Sequence, residues 1–209
     1  MEGVERKLSA ILSADAVGYS RLVAENEVTT VRRLTAYLEE MSVLVRQHEG
    51  RVVDAPGDNM LAEFPSALQA ASCAVEIQRV LQARNADLPR DRKLEFRIGV
   101  HLGDVMVEGE QIYGDGVNIA ARIEGLAEPG GISVSAAIHE QVRHKLDLRF
   151  VDQGAQRVKN IPEPVRVYRV RAAAGAGGPK WPVGARRRRS RSAVVATVAV
   201  GLGLAIARG

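Results

Sequence analysis

Cysteine is nearly absent from this 209-residue chain, and Cys73 stands alone. A single thiol excludes an internal disulfide and a cysteine zinc cluster, and a reducing, cytoplasmic setting is expected. The opening stretch MEGVERKLSAILSADAVGYS lacks the long apolar core and small-residue cleavage site of a secretory signal. Aromatics make up only 4% of the chain, so Leu, Val, Ile and Ala must supply nearly all of its apolar mass. Acid is missing from everything beyond Glu163. Eight of the 29 Lys and Arg residues lie after residue 170 and none of the 25 acids does, which leaves residues 1–170 with a net charge of −4 behind a whole-chain value of +4. An acidic body with a basic tail is a poor nucleic-acid binder, and no nucleic-acid partner is expected. There is no GxxxxGK[ST] phosphate loop and no internal repeat.

What is present fits one well-buried domain plus an appendage, with 46% hydrophobic and 26% charged residues. Two full catalytic domains would not fit. Leu8 to Asp15 is an apolar run of strand length that stops at Asp15-Ala-Val-Gly18. From Val28 the spacing of Val31, Leu34, Leu38, Met41 and Val45 predicts a helix ended by Gly50. Arg51 to Asp54 and Asn59 to Phe64 read as a hairpin across Ala55-Pro56-Gly57-Asp58. Ser66 with Gln69 has the form of a capping box opening a helix through about Ala83. Residues 85–93 read as a polar loop. Leu94 to Val107 reads as extended, with a bend or second hairpin at Gly99 and Gly103. Gly114 to Ala127 reads as a helix with Ile119, Ile123 and Leu126 inward, followed by a strand to Ser135 and a helix over Ala136 to Lys145. Short strands around Phe150, Val158 and Val165 to Val170 close the domain. This order predicts an α+β sandwich with helices on one face of a largely antiparallel sheet.

Two acids, Asp15 and Asp58, sit where a strand gives way to a tight glycine-containing turn. Mg²⁺ is held by one or two carboxylates together with phosphate oxygens, so these two, if brought together, would make a two-metal site. Aspartate is also common in turns for local reasons, and either residue alone is as well explained that way. In the run Tyr113-Gly-Asp-Gly-Val-Asn-Ile-Ala-Ala-Arg122, Asn118 and Arg122 share a helical face, a pairing suited to an anionic phosphorus centre. A helix start with a solvated Arg is the plainer account. His48, His101, His139 and His144 show no metal-ligand spacing, and Cys73 reads as a small core residue.

Taken together, SADAVGYS, APGDNMLAEF, FRIGVHLGDV, IYGDGVNIAARIEGLAEPGGISVS and VKNIPEPVRVYRV resemble the class III adenylate and guanylate cyclases, in the right order from about Lys7 to Val170. The resemblance implies a ferredoxin-like core that pairs head to tail as a homodimer, with active sites at the interface. It implies that Asp15 and Asp58, with the Ala16 carbonyl, hold two Mg²⁺ or Mn²⁺ ions in one subunit and face Asn118 and Arg122 of the other. Lys159 falls where such proteins keep a triphosphate-binding lysine. The implied reaction converts ATP or GTP to the 3′,5′-cyclic monophosphate and pyrophosphate. Adenine recognition in this family usually rests on a Lys and an Asp where this chain has Asp54 and Gln111. A carboxylate opposes the acceptor N1 of adenine but suits the N1 and 2-amino donors of guanine, and the Gln amide can donate to O6. Guanine use and a degenerate domain that still folds and pairs are both open on this exchange.

Beyond the domain assigned to 1–170, residues 171–191 read as a Gly-, Pro- and Arg-rich linker. Ser192 to Ala207 is an uncharged run of sixteen residues. As a helix it would reach ~24 Å against the ~30 Å of a bilayer core, a marginal span. With Arg186 to Arg189 and Arg191 before it, membrane association with the catalytic domain on the cytoplasmic face is expected. The abrupt end after Gly209 is expected of a piece of a longer protein.

Overall fold

The computed structural model describes residues 5–159 and 161–172. The expected linker beyond Ala172 and the expected membrane segment Ser192 to Ala207 lie outside the described residues. Among the described residues no helix is long and apolar enough to cross a membrane.

The chain opens with β1 (Glu5–Val17), longer than the apolar run suggests. Its charged first residues pair only with β4 (Glu95–Glu108), and hydropathy alone does not mark such a strand end. Helix α1 (Tyr19–Gln47) begins well before Val28 and is kinked at Asn26, which has φ −159° and ψ 91°. The Asn26 side chain accepts a hydrogen bond from the Thr29 N–H at 3.0 Å, so it caps the longer segment that the spacing predicts. The stripe sits slightly off the expected one: Thr30, Leu34, Tyr37, Met41 and Val45 are buried, while Val31 is exposed.

The hairpin of β2 (Arg51–Asp54) and β3 (Asn59–Phe64) is as expected. Helix α2 (Ala67–Arg84) starts at Ser66, whose Oγ accepts from the Gln69 N–H at 3.2 Å. Gln69 turns its side chain towards His48 instead of back to the cap, so only half of the capping box forms. β4 runs straight through Gly99 and Gly103 without the expected bend. Gly99 serves another purpose, because a Cβ there would lie 2.3 Å from the Glu124 nitrogen and 2.4 Å from the Ala120 oxygen. The helix that presses on it is α3 (Asp115–Glu124), reached through the short β5 (Gln111–Tyr113). Its inner face is Gly116, Ala120, Ile123 and Glu124; Leu126, expected inward, is exposed.

β6 (Ile132–Ser135), α4 (Ala136–Val142), β7 (Leu148–Gln156) and β8 (Val165–Ala172) complete the domain. Val158, expected in a strand, lies in the connection between β7 and β8, where its carbonyl accepts from Ile161.

The strands form one sheet in the order β2-β3-β1-β4-β6-β8-β7, with β5 on β4. The first four strands and α1 and α2 are a ferredoxin-like βαββαβ unit, and only β4 and β6 pair in parallel. Ala10, Leu12, Ala14 and Ala16 of β1 point to one face, where α1, α2 and α4 cover the main core. Ile11 points to the other, where α3 covers a smaller core with Val53, Val105, Ile112 and Ala120. Helices on a single face were expected; α3 departs because the glycines of β4 admit its backbone to the opposite side. Alternation along β1 therefore puts Ser9, Ile11, Ser13 and Asp15 beneath α3.

Candidate active site

Asp15 stands near the end of the central strand β1, opposite Asn59 of β3 on one side and Arg97 of β4 on the other. Beyond the last β1–β3 pair the hairpin tip folds over it, with Gly57 at φ 62°. The Ala16 N–H then donates to the Asp58 carbonyl at 3.1 Å. Asp15, Ala16 and Asp58 thus meet at one end of the sheet. A third carboxylate joins them that the sequence reading did not single out. Glu124, buried at the end of α3, accepts from the Ser13 Oγ at 3.2 Å and lies 3.6 Å from Arg97 Nη2. The same guanidinium nitrogen pairs with Asp15. Burial, aided by the charge of Asp15 and more weakly of Asp58, pushes the Glu124 carboxyl up to about 7, against Arg97 and Ser13. The signal for both missed residues was available: Arg97 lies in FRIGVHLGDV, and Glu124 is a charged residue at the apolar spacing of Ala120 and Ile123.

Two carboxylates and a carbonyl are hard oxygen donors of the kind that hold Mg²⁺ or Mn²⁺. The upward shift of Glu124 reports burial first and the neighbouring charge of Asp15 and Asp58 second. Among the described residues no three Asp, Glu, His or Cys side chains form a closed metal cage. This donor set leaves coordination positions for phosphate oxygens.

Asn118 and Arg122 are exposed on the face of α3 turned away from the sheet. No hydrogen bond or ion pair among the described residues joins either to Asp15 or Asp58. The structure thus brings Asp15 and Asp58 together and leaves Asn118 and Arg122 on an exposed helix face. Asp54 and Gln111, by contrast, are brought near one another. The Gln111 side-chain amide donates to the Val53 carbonyl at 3.4 Å, across 58 residues of sequence. One Asp54 oxygen accepts from the Ala55 N–H at 2.8 Å. Lys159 is exposed in the connection after β7.

Three of the four histidines and the cysteine have partners or buried surroundings, and His144 is exposed. His48 contacts Glu76 at 2.8 Å and His139 stacks on Tyr168 at 3.9 Å. Burial lowers the pKa of His101 to about 4, and its Nδ1 has no partner among the described residues. Cys73 is fully buried, and burial pushes its thiol pKa up.

Residues 5–172 match the sequence model described as the adenylate and guanylate cyclase catalytic domain. A putative adenylate cyclase 3 of Rhizobium meliloti is 50% identical over 168 residues, covering 80% of this chain and 29% of that protein. The chain thus spans less than a third of this curated relative. Among solved structures, an adenylate/guanylate cyclase/hydrolase from Silicibacter pomeroyi is 43% identical. It covers 80% of this chain and 98% of its own, with a TM-score of 0.76. The adenylyl cyclase CyaB from P. aeruginosa is 25% identical, covers 82% of this chain and 97% of its own, and has a TM-score of 0.72. The sheet order, the acids at the end of β1 and a match over nearly all described residues agree, and the chain belongs to the adenylate and guanylate cyclase catalytic domain family.

Proposed function

We propose that this domain is a purine nucleotide cyclase, converting ATP or GTP to the 3′,5′-cyclic monophosphate and pyrophosphate, and that two copies complete its sites. The observation that carries this reading is the union of Asp15 and Asp58 by the Ala16–Asp58 hydrogen bond, with Asn118 and Arg122 facing away from that corner. Asp15, Asp58 and the Ala16 carbonyl would hold two Mg²⁺ or Mn²⁺ ions. When bound, such ions lower the pKa of a ribose hydroxyl and neutralise a departing pyrophosphate.

The protein's own part is positioning and charge. Arg122 of the second copy presents a planar, permanently charged fork to the equatorial oxygens of the α-phosphate, where negative charge grows during in-line attack. Asn118, on the same face, orients the ribose. Lys159 supplies a point charge for the triphosphate. Asp54 and Gln111 read the base edge, and the free Asp54 oxygen is an acceptor for the N1 and 2-amino donors of guanine. A specific observation favours keeping a second reading, a degenerate nucleotide-binding or dimerisation module. Neither Asp54 nor Gln111 is the expected adenine partner, and each already spends one polar atom on the backbone.

The test is to incubate the full chain with ATP or GTP and Mn²⁺ and look for cyclic product. Product from the wild type, reduced at least ~100-fold in Asp58→Ala, supports catalysis by this corner. Nucleotide binding without product from either purine would leave the degenerate module as the better account.

A further inference from the structure

The two base-reading candidates sit on separate pieces of chain, and something must fix their spacing. Gln111 is the first residue after the two-residue turn Gly109-Glu110 that joins β4 to β5, with Gly109 at φ 59°. Beyond this tip three residue pairs bind β5 to the sheet. The Gln111–Val53 hydrogen bond is long, at 3.4 Å, and weak. A stronger tie crosses the same gap. Arg51, at the start of β2, donates from Nη1 to the Glu110 carbonyl at 2.6 Å. The rest of its guanidinium is fixed on Glu63 Oε2, by Nε at 2.8 Å and Nη2 at 2.6 Å.

Glu63 is only 5% exposed and is itself anchored, by Ser9 Oγ at 2.6 Å and Lys7 Nζ at 2.8 Å on its other oxygen. Burial favours its neutral form, but Lys7, Ser9 and Arg51 outweigh that and hold its pKa below the usual value. A charged fork locked on a buried, ionised carboxylate has little freedom left, so its third contact is a rigid strut.

We infer that Arg51, anchored by Glu63, is a positioning residue for base recognition: it clamps the β4–β5 turn against β2 and so sets where Gln111 stands relative to Asp54. The inference rests on the proposed role of Asp54 and Gln111 in reading the purine. Arg51 touches no substrate in this account. Its effect on nucleotide choice passes through the turn, and its loss frees Gln111 to accept either purine edge.

The test compares the full-length wild type with Arg51→Met, Arg51→Lys and Lys7→Met by amide hydrogen exchange and by calorimetric affinity for ATP and GTP. Lys7→Met removes a partner of the same carboxylate without touching the turn, so it reports the merely structural cost. Exchange at residues 109–113 should rise about tenfold in Arg51→Met. It should rise less in Arg51→Lys, which also covers the case in which Arg51→Met fails to fold, and should not change in Lys7→Met. The ATP-to-GTP affinity ratio should move at least ~3-fold in Arg51→Met alone. Unchanged exchange at the turn in both Arg51 variants, or an equal rise in Lys7→Met, overturns the clamp. A double variant Asp54→Lys with Gln111→Asp separates the two ideas. If it leaves the affinity ratio unmoved, the base-reading role falls, and the exchange data still decide whether Arg51 holds the turn.

Discussion

At the residue scale the acidic corner carries a cost that the protein tolerates because of where it lies. Glu124 is held among Ser13, Arg97, Asp15 and Asp58, and its pKa is raised from an ordinary 4.5 to about 7. A carboxyl that binds its proton more tightly folded than unfolded lends stability at low pH and withdraws it as pH rises from about 4.5 to 7, because folding then opposes proton release. In metal-free solution Glu124→Gln should therefore raise stability at pH 8 by about 1 to 2 kcal/mol, a figure discounted for the aqueous rim of the corner. Its melting curve should approach the wild type's near pH 4.5. Thermal melts in EDTA across that range check this, and a variant no more stable than wild type at pH 8 would mean that burial beside Asp15 does not raise this carboxyl. Reading these contacts from sequence was only half feasible. Asp15 and Asp58 stood out because each lies where a strand meets a glycine-containing turn. Arg97 and Glu124 sit inside regular elements, and their pairing depends on strand register and on α3 crossing β4.

At the scale of elements, sequence reading succeeded where a local rule suffices. The β2–β3 hairpin followed from its Pro-Gly turn and α2 from Ser66, and both match within a residue. It fell short where distant backbone decides. Gly99 and Gly103 look like bend formers within a strand, yet β4 is straight, and Gly99 is the opening through which α3 reaches the sheet. Consequently Gly99→Ala should be severe. Its Cβ would overlap backbone atoms of Glu124 and Ala120, which cannot swing aside as a side chain can, so a loss of about 3 kcal/mol or more is expected. Gly103→Ala meets the His101 ring at 2.7 Å, a side chain that can move, and the Gly116 backbone only at 3.4 Å, and should cost about 1 kcal/mol. Chemical denaturation of both variants measures the difference. Because α3 carries Asn118 and Arg122, any Gly99→Ala protein that still folds should also lose product formation beyond its loss of stability.

For the whole molecule, the proposed reaction needs two groups of residues that one chain holds apart, the acids as one half-site and the amide–guanidinium pair as the other. Asp15 and Asp58 meet beneath α3 at the end of β1, and Asn118 and Arg122 look outward from the same helix. A head-to-tail pair related by a two-fold axis would set each half against its complement twice, giving two equivalent sites from one self-complementary surface. That arrangement makes a quantitative prediction. Asp58→Ala and Arg122→Ala should each be nearly inactive alone, since in either homodimer both sites lack a group. Mixed in equal amounts and allowed to exchange, half of the pairs become heterodimers in which one site has lost both groups and the other has lost neither. Activity should return to about a quarter of the wild-type value, one intact site in half of the pairs. Mixing Asp58→Ala with Asp15→Asn should restore nothing, because both changes fall in the same half-site and every assembled site then lacks a carboxylate. Recovery in that second mixture, or none in the first after verified subunit exchange, would mean that the acids and the amide–guanidinium pair do not act on one substrate across two chains.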